Sequence, residues 1–160
     1  MKRTMIIVFL IMLIGQVGCL RQSAASFNIS SAQDTLVSFF SLLAYRACAQ
    51  AASLYGGGYD TLLSMNPDLT ADDPGLIWQR ACEVNGFQCL EIKQVLSAET
   101  VGVDEYHFIV QFMNQDGSLF ELNAESKTDA ARVSPQSEFE YIVKRDEGRF
   151  TVRTLPVYMP

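Results

Sequence analysis

The stretch Glu105-Tyr106-His107-Phe108-Ile109-Val110-Gln111-Phe112-Met113 decides the fold class. Its period is two. Tyr106, Phe108, Val110 and Phe112 fall on one face, and His107, Ile109, Gln111 and Met113 on the other, as in a β-strand whose aromatic face must be covered. Working outward, further strands are expected over Leu90 to Ala98, Ser118 to Asn123, Glu138 to Arg145 and Arg149 to Leu155. Asn114-Gln115-Asp116-Gly117 and Asp146-Glu147-Gly148 are short turns with glycine at the demanding position, so the strands they join should pair antiparallel. Ala124 to Gln136 reads as a long, polar, exposed connection.

Upstream the period is helical. Ser30-Ser31 followed by Ala32-Gln33-Asp34 resembles a capping start, and Leu36, Phe39, Phe40 and Leu43 then recur at spacings of three and four. A second helix should bury Ala47, Ala51 and Leu54 and stop at Gly56-Gly57-Gly58, which follow a helix and have no adjacent lysine, so they read as a turn and not a phosphate cradle. Tyr59 to Ser64 makes one more helical turn, and Asp72-Asp73-Pro74 supplies the cap and early proline of a helix through Trp78 to Glu83. Helices first and an antiparallel sheet afterwards predict an α+β domain in which the helices cover the aromatic face of a four- or five-stranded sheet.

The first residues carry a different message. Lys2 and Arg3 precede an apolar run from Met5 to Ile14, the pattern of a secretory signal. A spanning helix needs roughly 20 apolar residues, about twice this run. Gln16-Val17-Gly18-Cys19 resembles the lipobox of bacterial lipoproteins, with Gln16 where leucine is usual. The resemblance implies removal of residues 1–18, lipidation of Cys19 and a tether over 19–31 that holds a domain of residues 32–160 on the extracytoplasmic side of a membrane. Ordinary cleavage after Ala25 is the alternative, handicapped by Arg21 between the apolar run and the cut. The processed chain has ten basic and eighteen acidic residues, a net charge of −8, and so lacks the basic surface that nucleic acid demands.

Three cysteines remain in the domain: Cys48, Cys82 and Cys89. In an oxidising compartment one bridge and one thiol are expected. Cys82 and Cys89 lie either side of Asn85-Gly86, close enough in sequence to be bridged by a chain reversal. Cys48 with Cys82 and three unoxidised thiols are the competing readings. With no Cys-x2-Cys pair and a single histidine, no metal site or cofactor is expected.

Phe39-Phe40, then Ala51-Ala52-Ser53-Leu54-Tyr55 running into glycines, then a meander of strands, resembles the nuclear-transport-factor-2-like superfamily in its SnoaL-like and exported lipoprotein branches, with cystatin-like folds as near neighbours. The resemblance implies a curved, cone-like sheet open at one end. Phe39, Tyr55, Trp78, Tyr106 and Phe108 would be its candidate ligand pocket, although residues at this spacing serve equally as core. The superfamily holds isomerases and cyclases as well as noncatalytic binding proteins, and fold does not choose between them. His107 with Glu105 on the same strand face is the minimum of a general base, yet that face lies opposite the aromatic one. No set of residues matches the family's catalytic groups. The expectation is a noncatalytic binding or interaction module for a small apolar ligand or a protein, with a SnoaL-like enzyme as the alternative. A homodimer through the face bearing Ile109 and Met113, joined by Ile142 and Leu155 if their alternation is in phase, is also expected.

Overall fold

The computed structural model describes residues 17–122 and 135–160, and the side chains of those from residue 28 on. The segment expected to be a signal, except Val17 and Gly18, and most of the connection expected over 124–136 lie outside the described residues. The domain has helices α1 (Val17–Ala44), α2 (Cys48–Ala52), α3 (Asp60–Ser64) and α4 (Pro74–Glu83), followed by strands β1 (Glu91–Gly102), β2 (Glu105–Met113), β3 (Phe139–Asp146) and β4 (Arg149–Val152). The class is α+β, as the change of period implied.

Within the described residues α1 already covers Ser30-Ser31, so the tether expected over 19–31 is helical. Ser31 does not cap. Its carbonyl accepts a 2.9 Å bond from Thr35 Oγ1, the back-bond of a helix interior. The helix ends in a paired closure, with Arg46 N–H on Leu43 O and Ala47 N–H on Leu42 O, while Arg46 takes a left-handed φ of 62°. Its guanidinium pairs with Glu83 of α4. Asp73 accepts from Leu76 N–H at 3.0 Å and Pro74 opens α4, as their order in the sequence indicated.

The four strands form one antiparallel meander, ordered β1-β2-β3-β4. The sheet is open and is not curled into the cone that the family resemblance implied. Among the described residues, the expected strand Ser118 to Asn123 contributes the isolated bridges Met113 to Leu119 and Leu122 to Gln136 and no longer ladder. Twelve residues of β1 lie against nine of β2, and the surplus is taken up by register shifts between Ile92 and Gln94, Val95 and Ser97, and Thr100 and Gly102. Such bulges twist and bend an edge strand, which makes it a poor template for another chain.

A cone would need empty space on the inner face, and α1 fills it. Phe40 of α1 meets Phe112 and Tyr141 with ring centroids 4.8 Å apart in each case. Leu36, Phe39, Phe40, Leu43, Phe108, Val110 and Val143 are all fully buried in one apolar cluster with Trp78. Dispersion and water exclusion favour this contact over a wet cavity lined by the same rings.

The helical half is stitched to the far edge of the sheet. Gly56 N–H bonds Val152 O at 2.9 Å and Val152 N–H bonds Leu54 O at 2.8 Å, making a parallel bridge at Tyr55. The glycine triplet is therefore more than a helix stop. A Cβ on Gly57 would strike Tyr55 Oη and lie 2.9 Å from the Arg153 carbonyl, whereas one on Gly58 would meet only Asp60 Oδ2 at 3.6 Å. Gly57→Ala should cost about 1–3 kcal/mol by overpacking, and Gly58→Ala less than about 0.5 kcal/mol. Urea denaturation of the pair measures the difference, and equal midpoints would contradict this packing.

Candidate functional site

The five aromatic residues expected to line a pocket are core. Phe39 and Tyr55 pack on Trp78 with centroids at 5.3 and 4.9 Å, and Tyr55 is 6.0 Å from Phe39. Tyr106 and Phe108 are buried on the inner face of β2, where Tyr106 meets Phe150 at 5.7 Å. The polar ends are used within the protein: Trp78 Nε1 donates to Tyr59 Oη at 3.3 Å and Tyr55 Oη donates to Gly58 O at 3.2 Å. Burial, with Tyr59 adding to it, pushes the Tyr55 phenol up to about 12, so it stays neutral. None of the five lines the groove between Phe139 and Tyr158 or the cleft between Ala44 and Gln115.

Cys82 and Cys89 form a disulfide with Cα atoms 5.5 Å apart, leaving Cys48 as a buried thiol. The bridge spans the Asn85-Gly86 reversal, where Gly86 has a φ of 82°, and ties the end of α4 to the approach of β1. The competing Cys48 to Cys82 link is not formed. Burial, followed by the charge of Glu83, raises the Cys48 thiol above its ordinary range, so it is a weak nucleophile. Among the described residues no group of His, Cys, Asp and Glu side chains converges to hold a metal ion, and no helix is long and apolar enough to cross a membrane.

The titratable centre is on the outer face of the sheet. His107 Nε2 lies 3.0 Å from Glu105 Oε1 and Nδ1 lies 2.8 Å from Glu140 Oε1, while Lys144 Nζ holds the other Glu105 oxygen at 2.7 Å. Glu99 stands opposite His107 on β1. A neutral imidazole has one N–H, so only the imidazolium donates to both carboxylates. The bond to Glu105 is the main cause that raises the affinity of His107 for its proton, with Glu140 adding to it against the opposing cost of burial. The bond from Lys144, then that from His107, holds the Glu105 carboxyl below its usual range. For a raised histidine the sign is fixed: its contribution to stability is complete below the ordinary value of about 6.5 and disappears as pH rises through the raised one. In this state His107 has no free lone pair and is not positioned as a general base. Ile109 and Ile142, expected to make this face apolar, are half-buried opposite Glu140 and His107, and Met113, also half-buried, stands opposite Glu91 at the far end of β2.

Glu140 has a second role in the geometry. It also lines a groove of about 330 Å³, together with Phe139, Tyr141, Leu155, Val157 and Tyr158. The groove exists because the chain leaves β3 early. β4 pairs only with residues 143–146, and the last contacts are Arg153 N–H to Ile142 O and Ile142 N–H to Thr154 Oγ1. Beyond them the chain turns away so that Val157 O can accept from Gln88 N–H and Met159 N–H can donate to Gly86 O. Among the described residues, Phe139 to Tyr141 pair with β2 on one side and with no strand on the other.

Pairing Glu105 with His107 follows from strand alternation alone, whereas Glu140 depends on the register of β3 against β2. Glu140 stands opposite Ile109, one step diagonal to His107. The connection between those strands is too long to set register from the sequence, so the only available signal was a glutamate at an outward position of the next long strand.

No family model, curated protein or solved structure matches the chain.

Proposed function

We propose that this chain is an exported, lipid-anchored binding module with no catalysis of its own, held through Cys19 on the extracytoplasmic side of a membrane. The export pattern of residues 1–19 supports the location, and the disulfide agrees with an oxidising compartment. The noncatalytic reading is carried by His107: the one histidine in the chain has both nitrogens committed to carboxylates. The enzyme alternative needed an apolar chamber lined by Phe39, Tyr55, Trp78, Tyr106 and Phe108, and those side chains are packed as core instead. Kinship with the nuclear-transport-factor-2-like superfamily is retained as a proposal on element order alone, without the cone.

Fractionation tests the anchor. The wild-type protein should sediment with membranes, and Cys19→Ser should move it to the soluble exported fraction. Identical distribution of the two would overturn the lipid anchor.

A further inference from the structure

We propose that the turn Val101-Gly102-Val103, between β1 and β2, is a lipid-contact site that rests on the surface of the same bilayer that holds Cys19, and that this surface is zwitterionic. The inference deepens the reading of the chain as a lipid-anchored module and rests on it.

The composition of the turn is at odds with its place. A hairpin tip is the usual position of glycine, asparagine, aspartate or serine. Here Val103 is 95% exposed, beside Asp104 with its left-handed φ of 60°, and Val101 is 57% exposed. Neither valine belongs to the core cluster or packs against it. Two apolar side chains are therefore held in water at the tip of a hairpin, and contact with an apolar phase relieves that cost.

The direction of α1 says which phase that is. Its last residue, Ala44, and the following Tyr45 border a cleft with Glu91, Met113 and Asn114, at the end of the sheet where β1 begins and β2 stops. The N-terminal half of the helix therefore points to the other end, where β1 turns into β2. The contact of Phe40 with Phe112 gives both elements a common origin. Cys19 lies 21 residues before Phe40 in α1, about 32 Å along a helix. Val103 lies nine residues before Phe112, about 30 Å along a strand. Any inclination of the helix to the strands shortens its reach along them and leaves the turn at least as far forward. An acyl group on Cys19 thus brings the bilayer to the level of the two valines. The charges nearest to them in the sequence, Glu99, Asp104 and Glu105, are all acidic, so anionic headgroups are repelled and a zwitterionic surface is favoured. Two valines are too few to hold a free protein on a membrane. A tether raises the local concentration of the surface, so a weak contact is enough.

Fluorescence of the membrane-extracted protein, reconstituted in phosphatidylcholine vesicles with or without brominated acyl chains, tests this. The chain has one tryptophan, the buried Trp78, which supplies a constant background. Val103→Trp places a reporter on the turn. Val84→Trp places one at the opposite end of the domain, where Val84 is 66% exposed and the neighbouring Glu83 pairs with Arg46 just beyond the end of α1. Brominated lipid should quench the added fluorescence of Val103→Trp at least twofold and leave the wild type and Val84→Trp unchanged. Adding Val101→Asp to Val103→Trp should restore the fluorescence. In protein that floats with the vesicles, quenching of neither reporter, equal quenching of both, or quenching that survives Val101→Asp would overturn the lipid contact while leaving the anchor in place. Shielding of Val103→Trp from aqueous acrylamide without quenching by brominated lipid would assign the turn to a protein contact, a second copy of the chain included, and would overturn it as well. Protein that does not float would overturn the anchor, and the lipid contact with it.

Discussion

Trp78→Ala should destabilise the domain by about 3–5 kcal/mol, the range for deleting a large buried aromatic. Trp78 is fully buried and is the junction between the helical half and the rest of the core. Phe39, Tyr55 and Tyr59 all pack on its indole, with centroids at 5.3, 4.9 and 6.2 Å. Truncation removes those contacts and also takes the Nε1 donor from Tyr59 Oη. A domain of this size holds only about 5–15 kcal/mol in total, so the loss should be a large share of its stability. Urea denaturation should show a much lower midpoint at an unchanged slope, the sign of lost packing in a native state that is otherwise intact. If Trp78 instead lined a ligand chamber, its removal would cost under about 1 kcal/mol, the size of effect expected away from packed sites.

Removing the disulfide should have the next largest effect. Cys82 and Cys89 are seven positions apart in the sequence, and closing so short a loop restricts the unfolded chain by about 2–3 kcal/mol. Cys82→Ser with Cys89→Ser should therefore lower the melting temperature by roughly 5–10 °C. Adding reductant to the wild type should produce a similar shift, whereas Cys48→Ser should keep the shift on reduction in full. A wild type whose melting temperature ignores reductant would contradict a stabilising bridge.

Legibility of the fold varied with how local each determinant is. β2 was readable because every second residue from Tyr106 to Phe112 is buried, so burial and sequence share one period. β1 was not. Its inward residues Ile92, Val95 and Ala98 are three apart because bulges consume residues between them, and no strand template has that spacing. The start of α1 was misplaced because Ser30-Ser31 has the composition of a cap, while a cap is defined by backbone geometry. The cone failed for a different reason. Closure depends on the volumes that meet across the inner face, and the contacts of Phe40 with Phe112 and Tyr141 belong to tertiary packing. The disulfide was within reach because the reversal at Asn85-Gly86 is local. The His107 to Glu140 contact was not, since it required the register of two strands far apart in sequence.

The proposed processing of the chain to a lipid-anchored domain outside the cytoplasm is tested most directly by intact-mass analysis of the protein extracted from membranes. The mature chain should begin at Cys19, carry a diacyl or triacyl modification, and weigh two hydrogen atoms less than its fully reduced form because of the Cys82–Cys89 bridge. A soluble mature chain that begins at Ser26 and carries no lipid would contradict the claim.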